Sequence, residues 1–198
     1  MSILPILTFP DPRLREISKP VNSVTSEMAN FAQDMLDTMY DAHGIGLAAP
    51  QVDRLIRLIV IDIRRPISGE TLEEFEEDVK DDPLTDLEKK VQFPLILFNP
   101  VVVKGEGKNT YEEGCLSVPG YTETVERYNL VEIEALNEKN EKIKIKTDGL
   151  LAICIQHEMD HLEGKLFIDR ISKLKSNRIK DKIKKVGYPK KHKTNKDL

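Results

Sequence analysis

Apolar positions recur along this chain with two periods. Met28, Phe31, Met35 and Met39 are three or four residues apart, which predicts a helix over 26–42. Thr25 or Ser26 can cap its start and Gly44 can end it. The run Arg57 to Ile63 is rich in Ile, Leu and Val and predicts a buried strand. Ile96 to Val103 predicts another, in which Pro100 implies an edge position or an irregularity. Val131–Ala135 and Lys142–Lys146 alternate apolar and polar around a turn at Asn137–Asn140, the pattern of a hairpin. Asp148 or Thr147 then caps a helix from about 149 to 163. Ile171, Leu174, Ile179, Ile183 and Val186 predict a last, amphipathic helix over 171–186. Strands before and around one apolar helix give an α+β fold, with mixed or antiparallel sheets around that helix and a C-terminal helix beyond it.

Composition changes this picture in a few places. A chain of 198 residues suits one main domain, over about 1–170, followed by a basic helix and tail at 171–198. No apolar run approaches the roughly 20 residues of a membrane span. Pro5, Pro10 and Asp11, without a basic n-region, argue against a secretory signal or transit peptide. Two cysteines, Cys115 and Cys154, do not make a disulfide framework, so a reducing cytoplasm is expected. The net charge of −4 conceals an asymmetry: residues 70–88 hold ten acids against Lys80, and residues 171–198 hold eleven Lys or Arg against Asp181 and Asp197. The acidic segment, about 64–92, reads as a solvated, partly helical excursion between two strands.

The chemistry concentrates in Gln156-His157-Glu158-Met159-Asp160-His161. Two histidines four apart share one helix face and can reach one divalent metal, and the intervening glutamate stands beside it as a proton acceptor. A solvated surface helix is the alternative, but Leu150-Leu151-Ala152-Ile153-Cys154-Ile155 is too apolar for a surface. A third ligand is needed. The position at which some peptidases place a third histidine, six residues after His161, is Phe167, which cannot bind metal. Cys154 to His161 spans about 10 Å along a helix axis, too far for ligands that must converge within about 4 Å. Cys115, in Glu113-Gly114-Cys115-Leu116-Ser117, is the other thiol, and spacing alone does not bring it to the helix.

Three ordered blocks resemble the peptide deformylase family: Gly44-Ile45-Gly46-Leu47-Ala48-Ala49-Pro50-Gln51, Glu113-Gly114-Cys115-Leu116-Ser117 and Gln156-His157-Glu158-Met159-Asp160-His161-Leu162. The resemblance covers roughly residues 4–172. It implies hydrolysis of the N-formyl group of N-formylmethionyl nascent peptides, with release of formate. It implies Cys115, His157 and His161 as ligands of one divalent ion, Fe²⁺ as the native metal and Ni²⁺, Co²⁺ or Zn²⁺ as substitutes. Glu158 matches the general base. The Gln51 side chain and the Leu116 N–H match the oxyanion donors. Ile45, Gly46 and Gly114 match positions that pair with an extended peptide, and Leu150, Ile153 and Cys154 match those lining a pocket for the methionine side chain. Family members dock on ribosomes through a C-terminal helix, so the basic run from Lys173 to Lys185 is expected to meet rRNA. A monomer with no membrane attachment is expected.

Some positions fit less simply. Thr122 stands where some relatives carry a basic, substrate-anchoring residue. Arg127 can pair with Glu113 behind the site or stand as a plain surface arginine. His43 and His192 read as ordinary exposed residues. Two other functions compete with the main one: a different HExxH metallopeptidase, against which Phe167 and the Cys115 block argue, and a non-catalytic ribosome-associated relative, against which the intact Gln51, Cys115, His157, Glu158 and His161 argue.

Overall fold

Residues 2–64 and 84–188 are described by a computed structural model. Helix α1 (Ser26–Asp41) begins where its cap predicts, with Thr25 accepting from the Met28 N–H. It buries Ala32, Met35, Leu36 and Met39. Its end differs in detail from expectation. The positive φ falls on His43 (55°), and Gly44 N–H closes on the Met39 carbonyl at 2.9 Å. Gly44 is needed for space instead: a Cβ there would lie 2.8 Å from Leu116 Cδ1.

The main sheet is antiparallel, in the order β1 (Gly46–Ala48), β2 (Leu58–Ile61), β3 (Leu95–Glu106), β6 (Leu130–Leu136), β7 (Lys142–Thr147). A second pair joins β4 (Asn109–Glu113) to β5 (Glu123–Arg127). The apolar run of β2 is explained by burial on both faces. Leu58 and Val60 pack with Met35, Leu36, Met39 and Phe98 beneath α1. Ile59 and Ile61 face the other way, onto Leu151, Ala152 and Ile155 of helix α2 (Gly149–Leu162). Pro100 marks an irregularity, since the β3–β6 register shifts between Phe98 and Val101; β3 itself is the central strand, not an edge. Strands β1, β4 and β5 were not expected. The first is three residues of a Gly-Ala-rich run, and β4 is almost wholly exposed, so neither carries an alternating pattern.

The start of α2 corrects the expected cap. Asp148 makes no side-chain cap bond and instead accepts from Thr85 Oγ1 at 2.5 Å. Glu88 does the capping from a distance, accepting from the Leu151 N–H at 2.8 Å. A carboxylate at a helix N-terminus meets unpaired N–H groups and the positive end of the dipole. Glu88 is only 2% exposed, so the expected solvated excursion does not reach this far: residues 84–92 belong to the body. The rest of the acidic segment, 65–83, lies outside the described residues.

Helix α3 (Lys173–Val186) starts two residues later than predicted, at a Ser172 cap. Ile179 and Ile183 anchor it on Phe9, Val118, Val125, Leu166 and Phe167. Among the described residues no helix is long and apolar enough to cross a membrane.

Candidate metal centre

His157 and His161 lie one turn apart on α2, with ring centroids 5.1 Å apart. Cys115 comes from the loop between β4 and β5 and approaches from outside the helix. Its sulfur is 3.4 Å from His161 Nε2, and one donor atom from each of the three residues lies within 4.8 Å of the other two. Two imidazoles and a thiolate at such separations fit a borderline-soft divalent ion with a position left for water or substrate. The Ser117 N–H donates to Cys115 Sγ at 3.4 Å.

Behind His157 runs a chain of buried charges. The His157 Nδ1–H donates to Glu113 Oε2 at 2.8 Å, which leaves Nε2 as the ligand nitrogen. Glu113 accepts a two-pronged bond from Arg127 at 2.7 and 2.8 Å. Arg127 also reaches Asp160 at 2.6 Å, and Arg170 Nε closes on Asp160 at 2.9 Å. Burial pushes the Glu113 and Asp160 carboxyls up. The arginines, and for Glu113 also His157, outweigh it and hold both below the ordinary range. Arg127 is 4% exposed and pairs with Glu113, so it is not a surface arginine. A cavity of about 380 Å³ opens at the far end of this chain, beside Lys108, Tyr128, Lys165 and Arg170, and away from the donor atoms.

Glu158, one step round the helix, is 4% exposed and its Oε2 has no hydrogen-bond partner among the described residues. Burial, and after it the Glu113 and Asp160 charges, push its carboxyl up to about 7, although His157 opposes them. Gly46 on edge strand β1 lets the backbone close on this helix: a Cβ there would lie 2.4 Å from Glu158 Oε1 and 2.8 Å from Cys154 Sγ. Gln51 is held firmly. Its Oε1 accepts from the Ala48 N–H (2.8 Å), its Nε2 donates to Ser117 Oγ (3.0 Å), and the same nitrogen is 3.7 Å from Cys115 Sγ. The Leu116 N–H has no acceptor among the described residues.

Against this geometry the relatives are informative. The model of the polypeptide deformylase family matches residues 3–177. The chain belongs to the peptide deformylase family. It is a hydrolase whose activity is removal of the N-formyl group. It is 50% identical to the peptide deformylase of Psychrobacter cryohalolentis over 186 residues, 94% of this chain and 89% of that one. With the Acinetobacter baumannii peptide deformylase it shares 49% over 94% and 93% of the two chains. The crystal structure of a Legionella pneumophila deformylase matches with a TM-score of 0.73 at 41% identity, covering 92% of this chain and 96% of that one. That of the Ehrlichia chaffeensis deformylase in complex with actinonin gives 0.78 at 34%, over 93% and 98%.

The residues matched to the deformylase peptide and methionine sites differ in burial. Leu150 and Ile45 are half-buried and pack against the cluster under α2, Ile153 and Cys154 are buried, and Gly114 is exposed at the end of β4. Burial and the neighbouring Glu158 push the Cys154 thiol well above its ordinary value, so it stays neutral. Thr122 donates to Glu112 at 2.6 Å. His43 is exposed, and His192 lies outside the described residues. Sequence reasoning named no role for Asp160, Arg170, Ser117 or Glu88. Asp160 carried a signal: an acid three residues after His157 on a buried helix needs a cation.

Proposed function

We propose that Cys115, His157 and His161 hold one divalent ion, Fe²⁺ in the cell, and that Glu158, Gln51 and Leu116 act on a formyl group bound beside it. The ion, when bound, supplies Lewis acidity toward the formyl oxygen and the attacking water. Glu158 takes a proton from that water and returns it to the departing amine nitrogen. Water and formamide thus become formate and a free N-terminal amine. As the formyl carbon turns tetrahedral its oxygen gains charge. The second hydrogen of Gln51 Nε2 and the free Leu116 N–H donate to it; one such donor is worth roughly 3 kcal/mol in rate. Gly46 and Ile45 at the open edge of β1, with Gly114 opposite, pair with an extended N-formylmethionyl peptide. Leu150, Ile153 and Cys154 receive its methionine side chain.

A single observation carries this reading: three donor atoms within 4.8 Å, with a buried, unpartnered carboxylate oxygen on the adjacent residue. The test is formate release from a formyl-Met-Ala-Ser peptide by anaerobic, Fe²⁺- or Ni²⁺-loaded protein. Metal content is measured in parallel for the wild type and for Cys115→Ser. Full metal occupancy in Cys115→Ser would overturn the ligand assignment.

Residues 1–170 then form the catalytic domain of a cytoplasmic monomer, and 171–198 a ribosome-docking element. Part of its basic set is occupied at home, because Lys175 pairs with Glu123 (2.6 Å), Lys180 with Asp169 (3.0 Å), and Lys182 lies over the Tyr121 ring. Lys173, Arg178, Lys184 and Lys185 are exposed and suit rRNA phosphates. Changing these four to Gln abolishes low-salt co-sedimentation with ribosomes if the reading holds; unchanged co-sedimentation overturns it.

A further inference from the structure

We propose that Tyr188, just beyond the last helix, is a positioning residue for the loop that carries Cys115 and Leu116. The inference rests on the roles given to those two residues above, but its observations are separate from them. Gly187, at a φ of 72°, ends α3. The next side chain then lies against the back of the Cys115 loop. The Tyr188 hydroxyl donates to the Phe9 carbonyl at 2.5 Å, with the Ser117 carbonyl 3.5 Å away. Its ring meets Tyr121 edge-on, with centroids 6.4 Å apart, and shares an apolar cluster with Phe9, Val118 and Cys115.

The two carbonyls belong to one network. Phe9 N–H donates to the Ser117 carbonyl at 2.9 Å, and two residues earlier Leu7 N–H donates to the Gln51 carbonyl at 2.7 Å. The N-terminal segment 7–9 therefore ties together the backbones of the two loops that hold the oxyanion donors. Tyr188 closes this tie from outside. Inside the loop, Val118 N–H returns to the Cys115 carbonyl (2.9 Å), and Ser117 Oγ receives Gln51 Nε2 (3.0 Å). The loop is bounded by Gly114 and by Pro119-Gly120, and glycines leave a backbone free to wander unless something outside holds it. A catalytic group must be held within about 0.5 Å of its productive place. The C-terminal element is thus part of the support of the site as well as a surface for partners.

Full-length Tyr188→Phe keeps the ring and deletes the hydroxyl; Tyr188→Ala removes both. In Co²⁺-loaded protein, well below the melting temperature, Tyr188→Phe is expected to lower kcat about fivefold, the scale of one net hydrogen bond, with KM within about twofold. The thiolate-to-Co²⁺ absorption band should shift or broaden. In metal-free protein the Cys115 thiol should react with a disulfide reagent several-fold faster, because Cys154 is buried and silent. Tyr188→Ala should exceed Tyr188→Phe in every readout. A merely structural tyrosine would lower the melting temperature and leave kcat, the band and the thiol rate unchanged in Tyr188→Phe; that result overturns the proposal. Absence of the thiolate band in wild type would instead overturn Cys115 as a ligand, and the thiol rate would still decide the role of Tyr188.

Discussion

Helices α2 and α3 each have fourteen residues and lie in opposite surroundings. In α2 ten residues are buried, including two histidines, a glutamate and an aspartate; in α3 only Ser176, Ile179 and Ile183 are. The first helix is covered almost all round, so its polar groups have no water to fall back on and each needs a partner or a ligand. The second keeps an apolar stripe and solvates the rest. Chemistry is built where polarity is expensive, because a dry, low-dielectric site strengthens every charge interaction in it. On α3 polarity is cheap, because water solvates it.

Substitutions should divide along the same line. The largest effect on turnover is expected for Glu158→Ala: kcat falls by about 10²–10⁴, the contribution of a general acid–base, while metal content is unchanged. Loss of metal in that variant would make Glu158 a ligand rather than a base. For stability the largest effect is expected from Arg127→Met, which leaves Glu113 to His157 alone and Asp160 to Arg170 alone. Breaking a buried pair in this way costs about 3–5 kcal/mol, readable from denaturant melts. A cost below about 1 kcal/mol would mean that the two acids simply take up protons. On α3, Ile183→Ala should cost about 2–4 kcal/mol for a buried side chain. Leu174→Ser, at 82% exposure on the same helix, should stay within about 0.5 kcal/mol. Equal costs would break the contrast between the two faces.

Acidity sharpens the comparison from the other side. A base must be ionised to accept a proton, so kcat/KM rises with pH through the pKa of Glu158. Burial, helped by the Glu113 and Asp160 charges and opposed by His157, pushes that pKa to about 7. A bound divalent cation attracts the carboxylate and lowers it. The acid limb of the metal-loaded enzyme is therefore expected below pH 7, and a limb centred above 7 would exclude Glu158 as the group it reports.

Local pattern carried much of this protein. The helix and hairpin spacings are one-face burial written into the chain, and the ends of α1, α2, β6 and β7 fall within one or two residues of the periodicity. Gln156 to His161 showed a metal-binding face because two residues four apart on a helix must be neighbours. What the sequence by itself could not decide involves residues far apart along the chain. Whether Cys115 reaches His161 depends on the placement of β4 and β5; β4 is almost wholly exposed and β5 carries a single apolar residue, Val125. Glu88 capping a helix 63 residues later, Arg127 bridging Glu113 and Asp160, and Tyr188 reaching back to Phe9 are likewise contacts between elements. Periodicity reports which face of an element is buried; only the packed structure decides what that face is buried against.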